Sequence, residues 1–216
     1  EAWDRKEARL TGELADSVER LLVEADADSL SIKVKNRSER YTDNSNLKLM
    51  IPTGANLEAN GVSADVSVYG LDNEKLSASS VSGDVTVQAV SAWVNVESVS
   101  GDVDFGGETS RISAESVSGD IDLDGISGEV TATTVSGDME LAAGTVDHAR
   151  LETVSGDIEA VMAVADNGRL SAESMSGDVR IMLPAGQQGV FKAQSFSGRI
   201  TSDFGNVESE RRGPGS

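Results

Sequence analysis

The 216-residue chain has no cysteine, only 3 prolines and a single histidine. Without cysteine there is no disulfide framework and no thiolate for catalysis or metal binding, and the count by itself assigns no compartment. Aromatic residues make up 4% of the chain and hydrophobic residues 38%, which suits a thin body better than one with a thick core. No apolar run approaches the roughly 20 residues a membrane-spanning helix needs, so direct membrane insertion by this segment is not expected. Positive charge is scarce: 18 Lys and Arg stand against 37 Asp and Glu, a net charge of -19. That balance argues against nucleic acid and against an anionic membrane surface as partners. Gly-rich phosphate loops, zinc-ligand spacings and nucleophile elbows are also missing.

What is plentiful is glycine, 22 residues of it, and it recurs on a schedule. Ser80-Val81-Ser82-Gly83-Asp84-Val85 is followed by near copies at 98–103, 116–121, 134–139, 153–158 and 174–179. A last copy at 195–200 has Arg199 in the aspartate position, and a degenerate earlier one runs over 62–66. The central glycines at 83, 101, 119, 137, 156, 177 and 198 are separated by 18, 18, 18, 19, 21 and 21 residues. Self-similarity at such a period marks a solenoid. The spacing predicts an all-β, single-domain parallel β-solenoid with 18–21 residues per rung, right-handed by the crossover preference.

Alignment on the glycines exposes apolar columns. Seven residues before stand Leu76, Val94, Ile112, Val130, Ala149, Leu170 and Phe191, and five before stand Ala78, Val96, Ala114, Ala132, Leu151, Ala172 and Ala193. Two residues after come Val85, Val103, Ile121, Met139, Ile158, Val179 and Ile200, and four after come Val87, Phe105, Leu123, Leu141, Ala160 and Ile181. A further column two residues before the glycine holds Val81, Val99, Val117, Val135, Val154, Met175 and Phe196. All five read as core, with polar residues between them and a phase break at pairs such as Glu97-Ser98 where the path bends. The glycine suits a corner, through positive φ or close packing on the next rung. The longer final rungs place their extra residues in outward loops at 163–168 and 185–189.

Residues 1–46 carry no copy of the repeat and read as strands that cap the coil, with 47–204 as the array and 205–216 as a polar tail. Alternation predicts strands at 8–12 and 30–35. Leu14, Val18, Leu21, Leu22 and Ala25 have spacing open to a helix, but 21–25 also reads as a strand turning at 26–28, and the strand is preferred. The polar stretch 36–46 reads as a loop. Leu47, Leu49 and Ile51 alternate into Pro52-Thr53-Gly54, a phrase echoed at 179–186, which extends the expected array back to Leu47. Trp93 falls at a rung edge.

The repeated Val-Ser-Gly-Asp rungs, with Trp3-Asp4-Arg5 near the start and Ile51-Pro52-Thr53-Gly54 before the array, resemble a bacterial β-strand-repeat family that carries an adhesin label and is a domain of unknown function. The resemblance covers nearly the whole chain. It implies an extracytoplasmic β-solenoid of the periplasm or cell surface, with an envelope or surface ligand, glycan or protein, and no catalytic motif. Beside that family pattern, Glu1 and the tail 211–216 read as trimmed ends, with end-to-end self-association as a corollary.

Candidate chemistry sits in the polar columns. Asp102, Asp120, Asp138 and Asp157 follow their glycines directly, and Asp104, Asp122, Glu140 and Glu159 stand two residues further on, giving a carboxylate strip two columns wide. Such a strip could hold Ca²⁺, which takes several oxygen ligands. The competing and preferred reading is that each corner aspartate accepts backbone N–H groups at its own corner. The hydroxyl columns from Ser80 and Ser82 onward read as further corner hydrogen bonding. His148 reads as a surface residue in a loop between rungs. No carboxylate pair stands out as unequal in the way a catalytic acid and base must be. The sequence thus favours a non-enzymatic binding or structural module without a cofactor. A carbohydrate-active enzyme on the same scaffold, or a divalent-cation-dependent surface protein, are the alternatives.

Overall fold

The computed structural model describes residues 1–26, 29–36, 45–187, 190–197 and 199–201. The turn predicted at 26–28, the loops at 36–46 and 185–189, Gly198 and the tail from 205 lie wholly or partly outside these residues. The regular elements are all β-strands, with no helix among the described residues. The chain divides into two compact units, Glu1–Pro52 and Thr53–Ser216.

In the first unit, β1 (Ala2–Trp3) pairs parallel with β5 (Asn46–Pro52), and β2 (Arg9–Glu13) pairs antiparallel with β5 on its other edge. β3 (Val18–Ala25) and β4 (Leu30–Asn36) form a separate antiparallel pair with Leu21 opposite Val34 and Val23 opposite Ile32. The segment open to helix or strand is therefore a strand from Val18 on, held by its antiparallel pairing with β4. The Trp3 indole donates to the Glu7 carbonyl at 2.8 Å, and the Arg5 guanidinium lies 5.0 Å from its ring centre. The array does not begin at Leu47: β5 belongs to this first sheet. Pro52, which has no amide to donate, stands at its end.

The second unit is the solenoid. Its strands are β6 (Leu57–Asn60), β7 (Val66–Ser80), β8 (Val85–Ser98), β9 (Val103–Glu115), β10 (Ile121–Ser136), β11 (Met139–Ser155), β12 (Ile158–Ser176), β13 (Val179–Met182), β14 (Val190–Ser197) and β15 (Ile200–Thr201). Each pairs parallel with the strand one rung away, in one ladder from β6 to β13 and β15, with β14 continuing from β12. The register is the glycine alignment itself: Val85 pairs with Val103, Val103 with Ile121, and Ile121 with Met139. Four of the five predicted core columns stack inside, from Leu76, Ala78, Val85 and Val87 through to Leu170, Ala172 and Val179, all buried, with Phe105 the largest of them. The last rung departs, since Phe191 and Ile200 are exposed. A further inner wall, Leu71, Ala89, Ile126, Val146, Met162 and Val164, completes the core. It lies where the register slips at bulges, for example between Asp124 and Glu129.

The fifth column is a correction. Val81, Val99, Val117, Val135 and Val154 are 43–46% exposed, and Met175 and Phe196 more so. The side chain buried at this corner is instead the hydroxyl residue one position earlier: Ser80, Ser98, Ser116, Thr134, Thr153 and Ser174. The inward alternation thus runs Val94, Val96, Ser98, and the phase break falls on Val99-Ser100, both outward, before Gly101 and Val103 turn in again. A small hydroxyl fits the tight inner corner and can satisfy backbone there, which a valine cannot.

Close approach explains the corner glycine. A Cβ on Gly101 would fall 2.2 Å from the Gly83 carbonyl oxygen, and one on Gly119 would fall 2.0 Å from that of Gly101. Successive glycines stack backbone on backbone, and neither has a positive φ. The extra residues at 163–168 do not form an outward loop. They lie within β12, where Val164 is buried and Asn167 takes a left-handed φ of 65° at a bulge.

Candidate functional site

The corner is a hydrogen-bonded ladder in which each rung is tied to the one before. Ser98 Oγ donates to the Gly83 carbonyl at 3.0 Å and accepts the Gly101 amide at 3.0 Å. The same inter-rung donation recurs at Ser80, Ser116, Thr134, Thr153, Ser174 and Ser195. The hydroxyl column from Ser80 therefore satisfies buried corner carbonyls, as predicted, whereas the predicted second column, from Ser82 to Ser176, is exposed and does not share that role.

The corner aspartates follow a related rule with one difference from the sequence reading. Each accepts a backbone amide, but from the next rung rather than from its own corner. Asp84 Oδ1 accepts the Asp102 amide at 3.0 Å, Asp102 that of Asp120 at 2.9 Å, Asp120 that of Asp138 at 2.8 Å, and Asp138 that of Asp157 at 2.8 Å. The chain of bonds begins at Asp65 and ends with Asp178 accepting from Arg199. One oxygen of each carboxylate is thereby committed.

The second acidic column stands beside the first. Asp104 pairs with Asp122, Asp122 with Glu140, and Glu140 with Glu159 in the sheet register. Partial burial, and then the charges of Glu140, Asp104 and Asp124, hold the Asp122 carboxyl above its usual range. Where the column ends, Arg180 Nη1 donates to Glu159 Oε2 at 3.0 Å and neutralises it. The eight carboxylates singled out by sequence thus form two columns on one face. Among the described residues no group of three or more acidic or histidine side chains is placed to hold a metal ion.

His148 lies in β11, not in a loop, in register with Glu129 and Arg169. This column was not singled out in the sequence, and it holds Lys75, Arg111 and Arg169 beside Trp93 and Glu129. Lys75 Nζ sits 4.7 Å from the Trp93 ring centre, and Arg111 Nε is 2.6 Å from Glu129 Oε2. Registering residues eight before each glycine would have found it. On another side of the coil a shallow groove of about 480 Å³ is lined by Gly70, Leu71, Asp72, Gln88, Ala89, Val90, Gly106 and Gly107. Gly70 and Gly107 of this lining have positive φ, 77° and 141°. No helix among the described residues is long and apolar enough to cross a membrane.

A family profile described as Toastrack DUF4097 matches residues 2–214. No curated protein and no solved structure gives a significant match to the chain.

Proposed function

The chain belongs to the Toastrack DUF4097 family, and we propose that it is a non-enzymatic binding or structural module of the bacterial cell envelope, acting outside the cytoplasm. It is adhesin-like in that it holds a ligand along its length and does not turn one over. The observation that carries this reading is the repetition of surface chemistry in register. Asp84, Asp102, Asp120, Asp138 and Asp157 each meet the same partner in the same way. Acid–base catalysis needs two groups whose environments differ, whereas a ladder offers identical contacts at steps of about 4.8 Å. Weak contacts to an extended or repetitive ligand then add up along the coil. The net charge of -19 favours a neutral or cationic ligand, an envelope glycan or protein.

The test is retention of envelope polysaccharides and envelope proteins on the immobilised intact protein, with a turnover assay on the same polysaccharides. Retention without product is the expected result. Release of shortened glycan products, or retention no greater than on an acidic control protein, would overturn the reading.

A further inference from the structure

The outward corner valines form an apolar line. From Val62 to Phe196 it has eight members, all exposed, and seven rung steps of about 4.8 Å make it about 34 Å long. Backbone bonds between rungs hold it in register: the Ser82 amide donates to the Val62 carbonyl at 3.0 Å, Ser100 to Val81 at 3.0 Å, and Ser136 to Val117 at 2.9 Å. An uninterrupted exposed apolar stripe on a chain this polar marks an interaction surface.

Charge decides what fits it. On one side lies the exposed serine column of Ser82, Ser100 and Ser118, and beyond it the corner aspartates. The other, two residues before the valines, includes Glu97 and Glu115, which pair with each other in register. Glu152 is matched by Arg150 at 2.6 Å and Glu173 by Lys192, but Glu97 and Glu115 have no ion-pair partner among the described residues. The stripe is apolar along its centre, with the unpaired carboxylates of Glu97 and Glu115 on one side and, past the serines, the aspartate column on the other. A second copy of this chain would bring the same carboxylates and a charge of -19 against them.

We propose that this stripe docks a cationic amphipathic helix of another protein. A strand laid along the stripe repeats its same-face side chains every 6.6–6.8 Å, roughly, and loses step with the rungs at once. A helix repeats its apolar stripe every 5.4 Å or so, close to the rung spacing, and carries flanking Lys and Arg on either side of it. About 22 residues of helix match the full line at about 1.5 Å per residue. The inference rests on the binding role proposed above and assigns it a partner class. Its test uses a defined peptide, so its failure leaves the envelope-ligand experiment to stand or fall separately.

The probe is a peptide of about 22 residues with Leu at i, i+3, i+4 and i+7 and Lys elsewhere, titrated calorimetrically into the intact protein and followed by circular dichroism. Controls are the same composition scrambled to destroy the apolar face, and a Leu/Glu version. The protein is compared with its Val99→Ser/Val117→Ser/Val135→Ser variant. Expected is binding of the amphipathic Leu/Lys peptide with gain of helix, at least about tenfold tighter than the scrambled peptide or than binding to the triple variant. The proposal is overturned if the scrambled peptide binds as well, since charge alone would then suffice. It is equally overturned if no helix forms, or if the folded variant binds like the unaltered protein. A change of oligomeric state on substituting the valines would also overturn it, by identifying the occupant as a second copy. Should the variant fail to fold, the comparison of the two Leu/Lys peptides on the unaltered protein still decides.

Discussion

The amide of Asp120 donates to Oδ1 of Asp102, one rung earlier, at 2.9 Å, and Asp120 in turn accepts from Asp138 at 2.8 Å. The acceptor, not the charge, is what the ladder uses. Asp120→Asn keeps an acceptor and removes a repelling neighbour, so its stability should stay within about 0.5 kcal/mol of the unaltered protein. Asp120→Ala should cost about 1 kcal/mol through the orphaned Asp138 amide. Urea unfolding of the two variants checks this, and equal loss in both would show that charge matters after all.

Val117 and Val103 occupy columns on opposite sides of the corner glycine with opposite fates, 44% and 1% exposed. Val117→Thr should leave the unfolding midpoint nearly unchanged, within about 0.5 kcal/mol. Val103→Thr buries a hydroxyl without a partner and should cost about 2 kcal/mol. Reversal of that order in a chemical melt would contradict the corner described here.

Two glycines make a similar contrast. A methyl group on Gly119 would sit 2.0 Å from the Gly101 carbonyl oxygen, whereas on Gly144 the nearest atom is 3.6 Å away. Gly119→Ala should destabilise by about 3 kcal/mol, because backbone on both sides must move. Gly144→Ala should be neutral or slightly stabilising, since it removes freedom from the unfolded chain. Thermal midpoints of the pair provide the check.

Asp122 gives a pH signature. Partial burial and the Glu140, Asp104 and Asp124 charges raise its folded pKa, so the folded state holds that proton more tightly than the unfolded one. Its contribution is favourable below the unfolded carboxylate pKa and is lost as pH rises through the raised folded value. Asp122→Asn should therefore stabilise the protein at neutral pH, by about 0.5 kcal/mol at this partly exposed site. The gain should shrink towards zero in acid and in high salt. Urea melts at neutral and acidic pH measure it, and a gain independent of pH would exclude relief of charge as its cause.

Much of this architecture was legible because a parallel in-register coil writes each inward position as a column. Leu76, Ala78, Val85 and Val87 announce their columns by repeating. The corner was misread at Val81 because alternation is ambiguous there. Counted back from Gly83 and Val85, Val81 falls on the inner face; counted forward from Leu76 and Ala78, Ser80 does. Only the second count is right, and hydroxyl polarity hid it, since the bonds that make a buried serine acceptable run to the previous rung. The wall from Leu71 to Val164 was missed for another reason: bulges and left-handed glycines such as Gly125, with a φ of 84°, break the fixed offset from the corner glycine. The carboxylate strip could be read as a pattern. Which oxygen each aspartate commits, and to which rung, could not, because that depends on stacking between residues 18 or more apart.

The side-chain bonds that tie one corner to the next all have the same sense along the coil. Each serine gives its proton back to the preceding rung, and each aspartate receives one from the following rung. A rung is thus a self-consistent insert: removing the 18 residues from one corner glycine to the next, or duplicating them, reconnects each donor with an equivalent acceptor. Through tandem duplication the molecule can lengthen like a ruler, in graduations of about 4.8 Å, with every outward stripe extended by one mark at each step.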